Sequence, residues 1–376
     1  MRGPGVREQG AALLVMLALL IVAAGYLLIS RLNATDMQHA KQFDTQHALA
    51  DAKAALLGQA IGSATRPGEL PCPDRTGDGL VDPCTGSGPA HIGRLPVLTL
   101  QLDDGHDETG ETFWYAVDRA FDATGGAINS DTPATLALDG QSVVALIFAA
   151  GGPVGTQTRP FGATNNAANY LEDDNADGDA DFVSHAAGDF NDRVIAITRE
   201  ELMQAVERRV LGETAHALSD YFDATKGGHR FLPYADVTYD GKCDSLMLQG
   251  WFPLRLTDCG LPDWYQPLPA WVAANGWNHL LWYALSDYCQ PGTTNCADTG
   301  GGHYLTLDGV TGKHALLLTT GTALASQIRP LLPLPPLAGF LGSFLDTIEN
   351  QNLDTVFASH PLDATSNDQI LEVPTP

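Results

Sequence analysis

The sequence feature that most constrains the fold is an uncharged segment near the N-terminus, residues 11–30 (AALLVMLALLIVAAGYLLIS). As a helix, this segment is long enough to cross the hydrocarbon layer of a bilayer, which is about 30 Å thick. Arg2 and Arg7 precede it, and Arg31 is the first charge after it, so the basic bias places the N-terminus in the cytoplasm. The sequence therefore predicts a transmembrane helix over residues 11–31, with the rest of the chain exported.

A cleaved secretory signal peptide is the alternative interpretation of this segment. The apolar run is too long for an ordinary signal core, and no Ala-x-Ala cleavage site follows it near Arg31. The sequence instead breaks before the run, at Glu8-Gln9-Gly10-Ala11-Ala12. At this point the chain resembles type IV prepilins, whose short basic leader ends in a glycine at which a prepilin peptidase cuts.

This resemblance implies a leader over residues 1–10, with Gly10 as its last residue and Ala11 as the first residue of the mature protein. It implies a bacterial inner-membrane protein that crosses once, with its bulk in the periplasm or on an extracellular filament, and other pilins or pseudopilins as partners. Most pilins carry Glu at the fifth mature position, where this chain has Val15. In this respect the chain resembles minor pseudopilins of type II secretion and some minor pilins, which sit at or near a filament tip.

The exported region contains an internal repeat that divides it into residues 32–198 and residues 199–376. Short words recur in the same order; for example, His47-Ala48-Leu49 returns as His216-Ala217-Leu218. The matched words begin at residues 47, 70, 93, 114, 159 and 191 in the first copy and at residues 216, 232, 250, 282, 329 and 367 in the second. The collinear order favours a duplication.

Each copy opens with apolar residues at helical spacing and continues with short apolar runs of strand type. The helical stripes contain Leu49, Ala52, Leu56 and Leu57 in the first copy and Leu202, Met203, Val206, Val210, Leu211, Leu218, Tyr221 and Phe222 in the second. The strand runs are Phe113–Val117, Val143–Phe148 and Val194–Ile197, then Leu280–Leu285, Ala315–Thr320 and Ile370–Val373. This order predicts an α+β fold in which a pilin-like spine helix, continuous with the transmembrane helix, packs on antiparallel sheet and a second helix-plus-sheet unit follows.

Six cysteines fall into neighbouring pairs: Cys72 with Cys84, Cys243 with Cys259, and Cys289 with Cys296. No pair has the two-residue spacing of a zinc knuckle or a redox motif. An even count in an exported chain indicates disulfides, although six cysteines permit 15 pairings and adjacency is one choice among them.

The chain has 45 Asp and Glu against 20 Lys and Arg, a formal net charge of −25, which disfavours nucleic acid as a partner. Three segments share the pattern Asp-x-Thr/Asn-x-Asp-Gly-x-x-Asp, starting at Asp74, Asp173 and Asp236. Oxygens at these spacings can converge on Ca²⁺, but the Glu of an EF-hand at position 12 is absent from all three. The alternative is surface Asx-turns, which we favour for the first and third segments. The candidate calcium ligands of the middle segment are Asp173, Asn175, Asp177, Asp179 and Asp181.

Five of the six tryptophans lie between Trp251 and Trp282, a cluster that is either a binding surface or, as we favour, packing core. No metalloprotease, nucleophile-elbow or phosphate-loop motif occurs, so we predict no enzymatic activity. The predicted function is a minor pilin or pseudopilin-like subunit for assembly, priming or the tip of a type IV pilus or type II secretion filament. The alternatives are a calcium-stabilised adhesin, displayed on a filament or tethered to a membrane, and, least favoured, a tethered hydrolase.

Overall fold

The computed structural model describes residues 42–159, 165–223, 225–293, 296, 304–329 and 340–375. These residues form helices and mostly antiparallel sheets, which confirms the predicted α+β class. Below, the first half means residues 42–198 and the second half means residues 199–375.

The first half begins with a helix over residues 42–62 (α1), and six strands follow it. The strands are β1 (Ala90–Arg94), β2 (Trp114–Asp118), β3 (Leu136–Leu138), β4 (Gln141–Ala149), β5 (Asp181–Phe182) and β6 (Arg193–Thr198). They form one sheet in the order β1-β2-β4-β3-β5, and β6 also pairs with β4. The nine-residue β4 is therefore the strand that connects the other parts of this sheet.

The second half begins with α2 (Arg199–Phe222) and contains two shorter helices, α3 (Ala270–Ala274) and α4 (Ile348–Gln351). Its strands are β7 (Gln249–Trp251), β8 (Leu281–Leu285), β9 (Leu305–Leu307), β10 (Val310–Lys313), β11 (Ala315–Thr319), β12 (Val356–Phe357) and β13 (Gln369–Glu372). They form a four-stranded sheet in the order β13-β11-β8-β7 and a three-stranded sheet in the order β10-β9-β12.

The same set of strand pairings occurs in both halves. In the first half β2 pairs antiparallel with β1 and β4, β4 pairs antiparallel with β3 and β6, and β3 pairs parallel with β5. In the second half β8 pairs with β7 and β11, β11 pairs with β13, and β9 pairs antiparallel with β10 and parallel with β12. The second half has two sheets because β10 and β11 are separate strands at the place where β4 is continuous.

The six predicted strand runs all lie in strands, to within two residues at their ends. The prediction missed the short strands, including β3, β9 and β10, and the two short parallel pairs. Most of these strands are three or four residues long, and β10 is mainly exposed, so no apolar run marks them.

Helix α2 begins directly at the end of β6, without a linker between the halves. The Thr198 side chain accepts a hydrogen bond from the Glu201 backbone N–H at 3.1 Å, and both Glu200 and Glu201 lie in the first turn. A threonine cap with carboxylates beside the helix N-terminus stabilises a helix start at this point.

The two long helices contribute to one core together with sheet residues of both halves. Helix α1 buries Leu49, Ala52 and Leu56 as predicted, and the whole predicted apolar stripe of α2 is buried. Helix α2 contacts β4 and β6 of the first half and β11 and β13 of the second. Polar side chains also connect the two helices. The Lys53 ammonium of α1 lies 2.7 Å from the Glu201 carboxylate of α2, and Arg209 of α2 donates to the carbonyl of Ser63, directly after α1, at 2.8 Å.

The sheet of the first half is buried on both faces. Tyr115 and Ile147 face the shared core, whereas Trp114 and Phe148 face a second cluster that Tyr170 and other loop residues cover. Burial on both faces explains why β2 and most of β4 are apolar at every position rather than at alternate ones.

In the described part of the chain, no helix is long and apolar enough to cross a membrane. The predicted span over residues 11–31, and the processing residues Gly10 and Ala11, lie outside the described residues. Because none of the described helices could span a membrane, the predicted location, a single-pass protein of the bacterial inner membrane, is corrected. The location that the structure supports is an oxidising one outside the cytoplasm, because three disulfides are present.

Truncation of the α1 stripe tests whether this helix is part of the core. We expect Leu56→Ala to lower the free energy of unfolding by about 2–5 kcal/mol, because Leu56 is fully buried and the change leaves a cavity. Leu57→Ala is the matched control, since Leu57 is only partly buried and its truncation should cost about half as much or less. Urea unfolding monitored by circular dichroism measures both; equal losses in the two variants would contradict the packing of α1.

Candidate functional site

The first Asp-rich segment is a turn that Asp74 organises. The buried Asp74 carboxylate accepts hydrogen bonds from the backbone N–H groups of Thr76 at 3.0 Å, Gly77 at 2.6 Å and Gly79 at 2.7 Å. The backbones of Asp74 and Arg94 exchange two hydrogen bonds of 2.9 and 2.8 Å, which attach the turn to β1. The Asp74 carboxylate thus accepts from the loop backbone, while the Asp74 backbone pairs with the end of the edge strand β1.

The third Asp-rich segment has the same arrangement around Asp236. Its carboxylate accepts from the backbone N–H groups of Thr238 at 2.9 Å, Tyr239 at 2.7 Å and Gly241 at 2.7 Å, and its backbone pairs with Trp251 in β7. Both segments are therefore hydrogen-bonded turns of the Asx type, the interpretation favoured for them from the sequence.

The middle segment, which contains the candidate calcium ligands, is arranged differently. Residues Asp173–Ala176 form a short 3₁₀ helix, and Asn175 is fully buried. The Asn175 amide donates to Asp192 at 3.0 Å and accepts from the Val183 N–H at 3.0 Å, so this side chain is committed to the protein. The predicted calcium site stays a prediction.

The carboxylates of this segment repel one another. Burial and, after it, the charges of Asp173, Asp177, Asp179 and Asp181 raise the pKa of Asp174. Among the described residues, two groups of three side chains bring possible metal-ligand atoms within 4.8 Å of one another. Both groups lie at disulfides and not at this segment. The structure thus shows the repulsion that a cation would relieve, without a converged carboxylate set.

Beside the Asp-rich segment lies a pair of carboxyl groups that the sequence analysis did not single out. Glu172 Oε2 accepts from the backbone N–H groups of Asn191 and Asp192, both at 3.0 Å. In return, Asp192 Oδ2 accepts from the Glu172 N–H at 3.0 Å and from the Asn175 amide. This reciprocal arrangement ties the loop before β5 to the start of β6.

The surroundings of this pair raise the pKa of one of its members, Asp192. Burial and the neighbouring Glu172 carboxylate raise the pKa of Asp192 to about 8. Asp192 Oδ1 is buried and accepts no hydrogen bond from the described residues, so no donor there stabilises a negative charge on this oxygen. Burial and the absence of a donor at Oδ1 therefore both favour the neutral form of Asp192 in the folded protein.

The second half contains an equivalent pair, Asp346 and Asp368. Asp346 Oδ2 accepts from the backbone N–H groups of Asn367 at 2.6 Å and Asp368 at 3.1 Å, and Asp368 Oδ2 accepts from the Asp346 N–H at 2.8 Å. Burial, followed by the Asp346 charge, raises the pKa of Asp368 well above its ordinary value. The only sequence signal for either pair was the Asn-Asp word that recurs at residues 191 and 367.

A third buried carboxyl, Glu207 of α2, lies where the two halves meet. It accepts from Thr319 at 3.2 Å and Gln369 at 2.9 Å in the second half, and from Ser130 in the first. Burial raises its pKa to about 7. Because its donors come from both halves, Glu207 connects them within the core.

The tryptophan cluster is mostly core. Trp251, Trp271, Trp277 and Trp282 are buried, and Trp264 is half-buried. Trp264 stacks on Phe252 with ring centroids 5.6 Å apart and lines a groove of about 420 Å³ together with Asp263, Arg255, Pro267 and Pro269. The cluster thus leaves one aromatic side chain at an open surface.

The cysteines form the three predicted disulfides, Cys72–Cys84, Cys243–Cys259 and Cys289–Cys296. Each closes a loop of 7 to 16 residues. The structure has the pairing between neighbours, which was one choice among several from the sequence.

No family model matches the chain, and no curated protein or solved structure matches it.

The raised pKa of Asp192 predicts a pH-dependent stability. In the unfolded chain its pKa is about 3.9, so between about pH 4 and pH 8 the folded state binds more protons and the free energy of unfolding falls as pH rises. We expect Asp192→Asn, which is neutral at every pH, to be close to wild type near about pH 4 and more stable than wild type by on the order of a few kcal/mol near about pH 8.5.

Urea unfolding at the two pH values measures the difference between wild type and variant. Asp189→Asn is the matched control, because Asp189 is an exposed carboxylate shortly before Asp192. Parallel pH slopes in wild type and Asp192→Asn would show that Asp192 does not hold the proton.

Proposed function

We propose that this chain is a non-enzymatic, pilin-like subunit that contributes to the assembly, the priming or the tip of a type IV pilus or type II secretion filament. The observation that carries the proposal is the packing of α1, whose stripe Leu49, Ala52 and Leu56 lies in one core with the antiparallel sheet that follows it. In a chain with a prepilin-type leader motif over residues 1–10, a helix laid on the sheet that follows it is the arrangement that the resemblance implies.

The two halves act as two copies of one unit in this proposal. The support is threefold: the strand pairings are the same, Asp74 and Asp236 make the same turn, and the carboxyl pairs occupy the same place before the last strand. The matching features involve residues that lie far apart along each half. Such a set of matches favours one duplication over separate origins.

The surroundings of the helices favour a low-copy position over repetition along a filament. Helix α2 is buried by sheet residues of both halves, so its apolar stripe is not free to pack against another subunit. The resemblance implies that contacts with neighbouring subunits are made by the N-terminal segment, where Val15 replaces the usual Glu. A subunit with one such contact segment and a large exported body suits the end of a filament.

Processing of the N-terminus tests this proposal. We expect intact-mass spectrometry to show a mature protein starting at Ala11 when the chain is expressed with a prepilin peptidase, and an uncut chain without it. Gly10→Val should block the cut, whereas Gly5→Val, a matched change inside the leader, should not. A chain that stays uncut in the presence of the peptidase, or starts beyond Ser30, would contradict the proposal.

A second candidate function is a calcium-stabilised binding protein that a filament displays. The observation that favours it is the mutual repulsion of the carboxylates around Asp174. The open groove at Trp264 would then be the place to look for a ligand.

The calcium part of this candidate has a direct test. We expect Ca²⁺ to raise the melting temperature by a few degrees over EDTA, because a ligand that binds only the folded state stabilises it. Asp177→Asn/Asp179→Asn should abolish the rise, and Asp103→Asn/Asp104→Asn, an exposed acidic pair elsewhere, should not. Equal melting temperatures of wild type in Ca²⁺ and EDTA would remove calcium from the account.

A further inference from the structure

The disulfide Cys289–Cys296 lies beside His314, and the three side chains form a set of possible metal ligands. The two sulfur atoms and one ring nitrogen of His314 all lie within 4.8 Å of one another. Cys289 has no exposed surface, whereas Cys296 and His314 are partly buried. Two thiol-type ligands and an imidazole therefore already meet in one place in the second half.

The backbone of Ser286 holds two of these residues at the end of β8. Ser286 follows β8 directly, and its N–H donates to the His314 carbonyl at 2.8 Å. The Ser286 carbonyl in turn accepts from the Cys289 N–H at 3.0 Å. Cys289 and His314, which are 25 residues apart in the chain, are thus fixed to the same backbone unit.

In the first half, Phe121 occupies the place of Cys289. Leu232 donates its backbone N–H to the Cys289 carbonyl at 2.7 Å, and Leu70, which matches Leu232 in the repeat, donates to the Phe121 carbonyl at 2.8 Å. Phe121 is fully buried. The first half therefore has an apolar core side chain where the second half has a cysteine.

The place of His314 is likewise apolar in the first half. The last residues of the matching words WYAV in β2 and WYAL in β8 pair with Ala145 in β4 and Ala315 in β11, so the residues directly before these alanines, Val144 and His314, correspond. Val144 is fully buried inside the continuous β4, whereas the second half is interrupted at His314, between β10 and β11. The shared strand pairings form without these ligands, so the fold does not require them.

Neighbouring side chains hold the imidazole of His314. Its Nδ1 lies 2.5 Å from the Thr375 hydroxyl, and its ring packs against Tyr304 with centroids 5.6 Å apart. Tyr304 also stacks on Tyr288, the residue directly before Cys289, with centroids 5.4 Å apart. A hydrogen bond to the ring and an apolar shell are the surroundings that orient a metal-binding histidine and limit the access of water.

We propose that Cys289, Cys296 and His314 form a Zn²⁺ site when the disulfide is reduced. A dithiol reductant transfers two electrons and two protons to the disulfide, and it becomes a disulfide itself while two protein thiols form. Zn²⁺ then binds the two thiolates and one ring nitrogen of His314, releases the two thiol protons to solvent and keeps one position for water. Zinc prefers this set of sulfur and nitrogen ligands.

The spacing of the ligand atoms suits this site. Bonds of about 2.3 Å to sulfur and about 2.0 Å to nitrogen place the ligand atoms of a tetrahedral zinc site about 3.5–3.8 Å apart. The structure already has all three atoms within 4.8 Å of one another, so binding needs only small movements once the disulfide is open. Zinc then closes the loop between residues 289 and 296 before oxidation, and the disulfide closes it afterwards.

One other disulfide has a possible third ligand nearby. Cys72, Cys84 and Asp122 also bring ligand atoms within 4.8 Å of one another. Both oxygens of this carboxylate are engaged, because Oδ1 accepts from the N–H and the hydroxyl of Thr124 at 2.6 and 2.7 Å and Oδ2 contacts His91 Nδ1. This group is the natural competitor in any test.

Differential alkylation of the full-length chain tests the assignment. The protein is reduced with a phosphine, incubated with Zn²⁺ or with EDTA, treated with iodoacetamide and digested, and peptide mass spectrometry gives the alkylated fraction of each cysteine. We expect Zn²⁺ to slow the alkylation of Cys289 and Cys296 by about tenfold or more. Cys243 and Cys259 are the internal control and should be unchanged, because no third ligand group accompanies their disulfide among the described residues.

A histidine variant separates a metal site from a merely reactive pair of thiols. Reduced wild type should bind one Co²⁺ with thiolate charge-transfer absorption, and His314→Val should weaken this binding by about tenfold or more, because it removes one ligand. Valine is the residue that the first half has in this place, Val144, so the variant keeps a side chain that suits the fold. His216→Val, at an exposed position of α2, is the matched control and should bind Co²⁺ like wild type.

Cysteine variants complete the test. Cys289→Ser/Cys296→Ser should lose the charge-transfer absorption, and Cys72→Ser/Cys84→Ser should keep it. Protection of Cys72 and Cys84 instead of Cys289 and Cys296, no protection at all, or a His314→Val variant that binds Co²⁺ as tightly as wild type would overturn the proposal.

Discussion

The burial of α2 against both sheets is the constraint on which the rest of the structure depends. Its stripe, which includes Met203, Val206 and Val210, is fully buried and belongs to the same core as α1 and the strands of both halves. A helix that covers sheet residues of two units leaves neither unit with a complete core of its own. The halves are therefore held together by apolar burial, the largest favourable contribution to folding, rather than by a linker.

The polar groups of the interior follow from this packing. Glu207 lies on α2 at the junction and is satisfied by donors of both halves, so its position depends on the contact between them. The junction is extended by Asn275, whose side chain accepts from the Ile128 N–H at 3.1 Å and donates to the Thr65 carbonyl at 3.2 Å. Such bonds contribute little net stability, but leaving their partners unpaired is costly, which fixes the register of the halves.

The sequence predicted the elements that have a regular apolar period and missed those that depend on contacts between distant residues. The α2 stripe and the runs at residues 143–148 and 315–320 were visible because burial on one helix face or through a sheet leaves a periodic or continuous apolar pattern. Strands β3 and β9 were not, because three residues carry no period.

The candidate sites show the same limit. The even cysteine count predicted disulfides but left their pairing open, whereas Glu172 and Asp192 meet across 20 residues and look in the sequence like any other surface carboxylates. Asn175, one of the predicted calcium ligands, is buried and donates to Asp192 from another loop, a contact that a pattern of exposed turn residues does not reveal. The buried side chains of His91 and Asp122 contact each other although 31 residues separate them, because β1 pairs with β2.

The central claim is that α2 makes the two halves one cooperative body, and native-state hydrogen exchange measures this directly. Amides of β4 in the first half and β11 in the second should exchange through the same opening reaction, with equal free energies and equal dependence on denaturant. If β4 and β11 instead opened with different free energies and separate denaturant dependences, each half would have a core of its own and the claim would be contradicted.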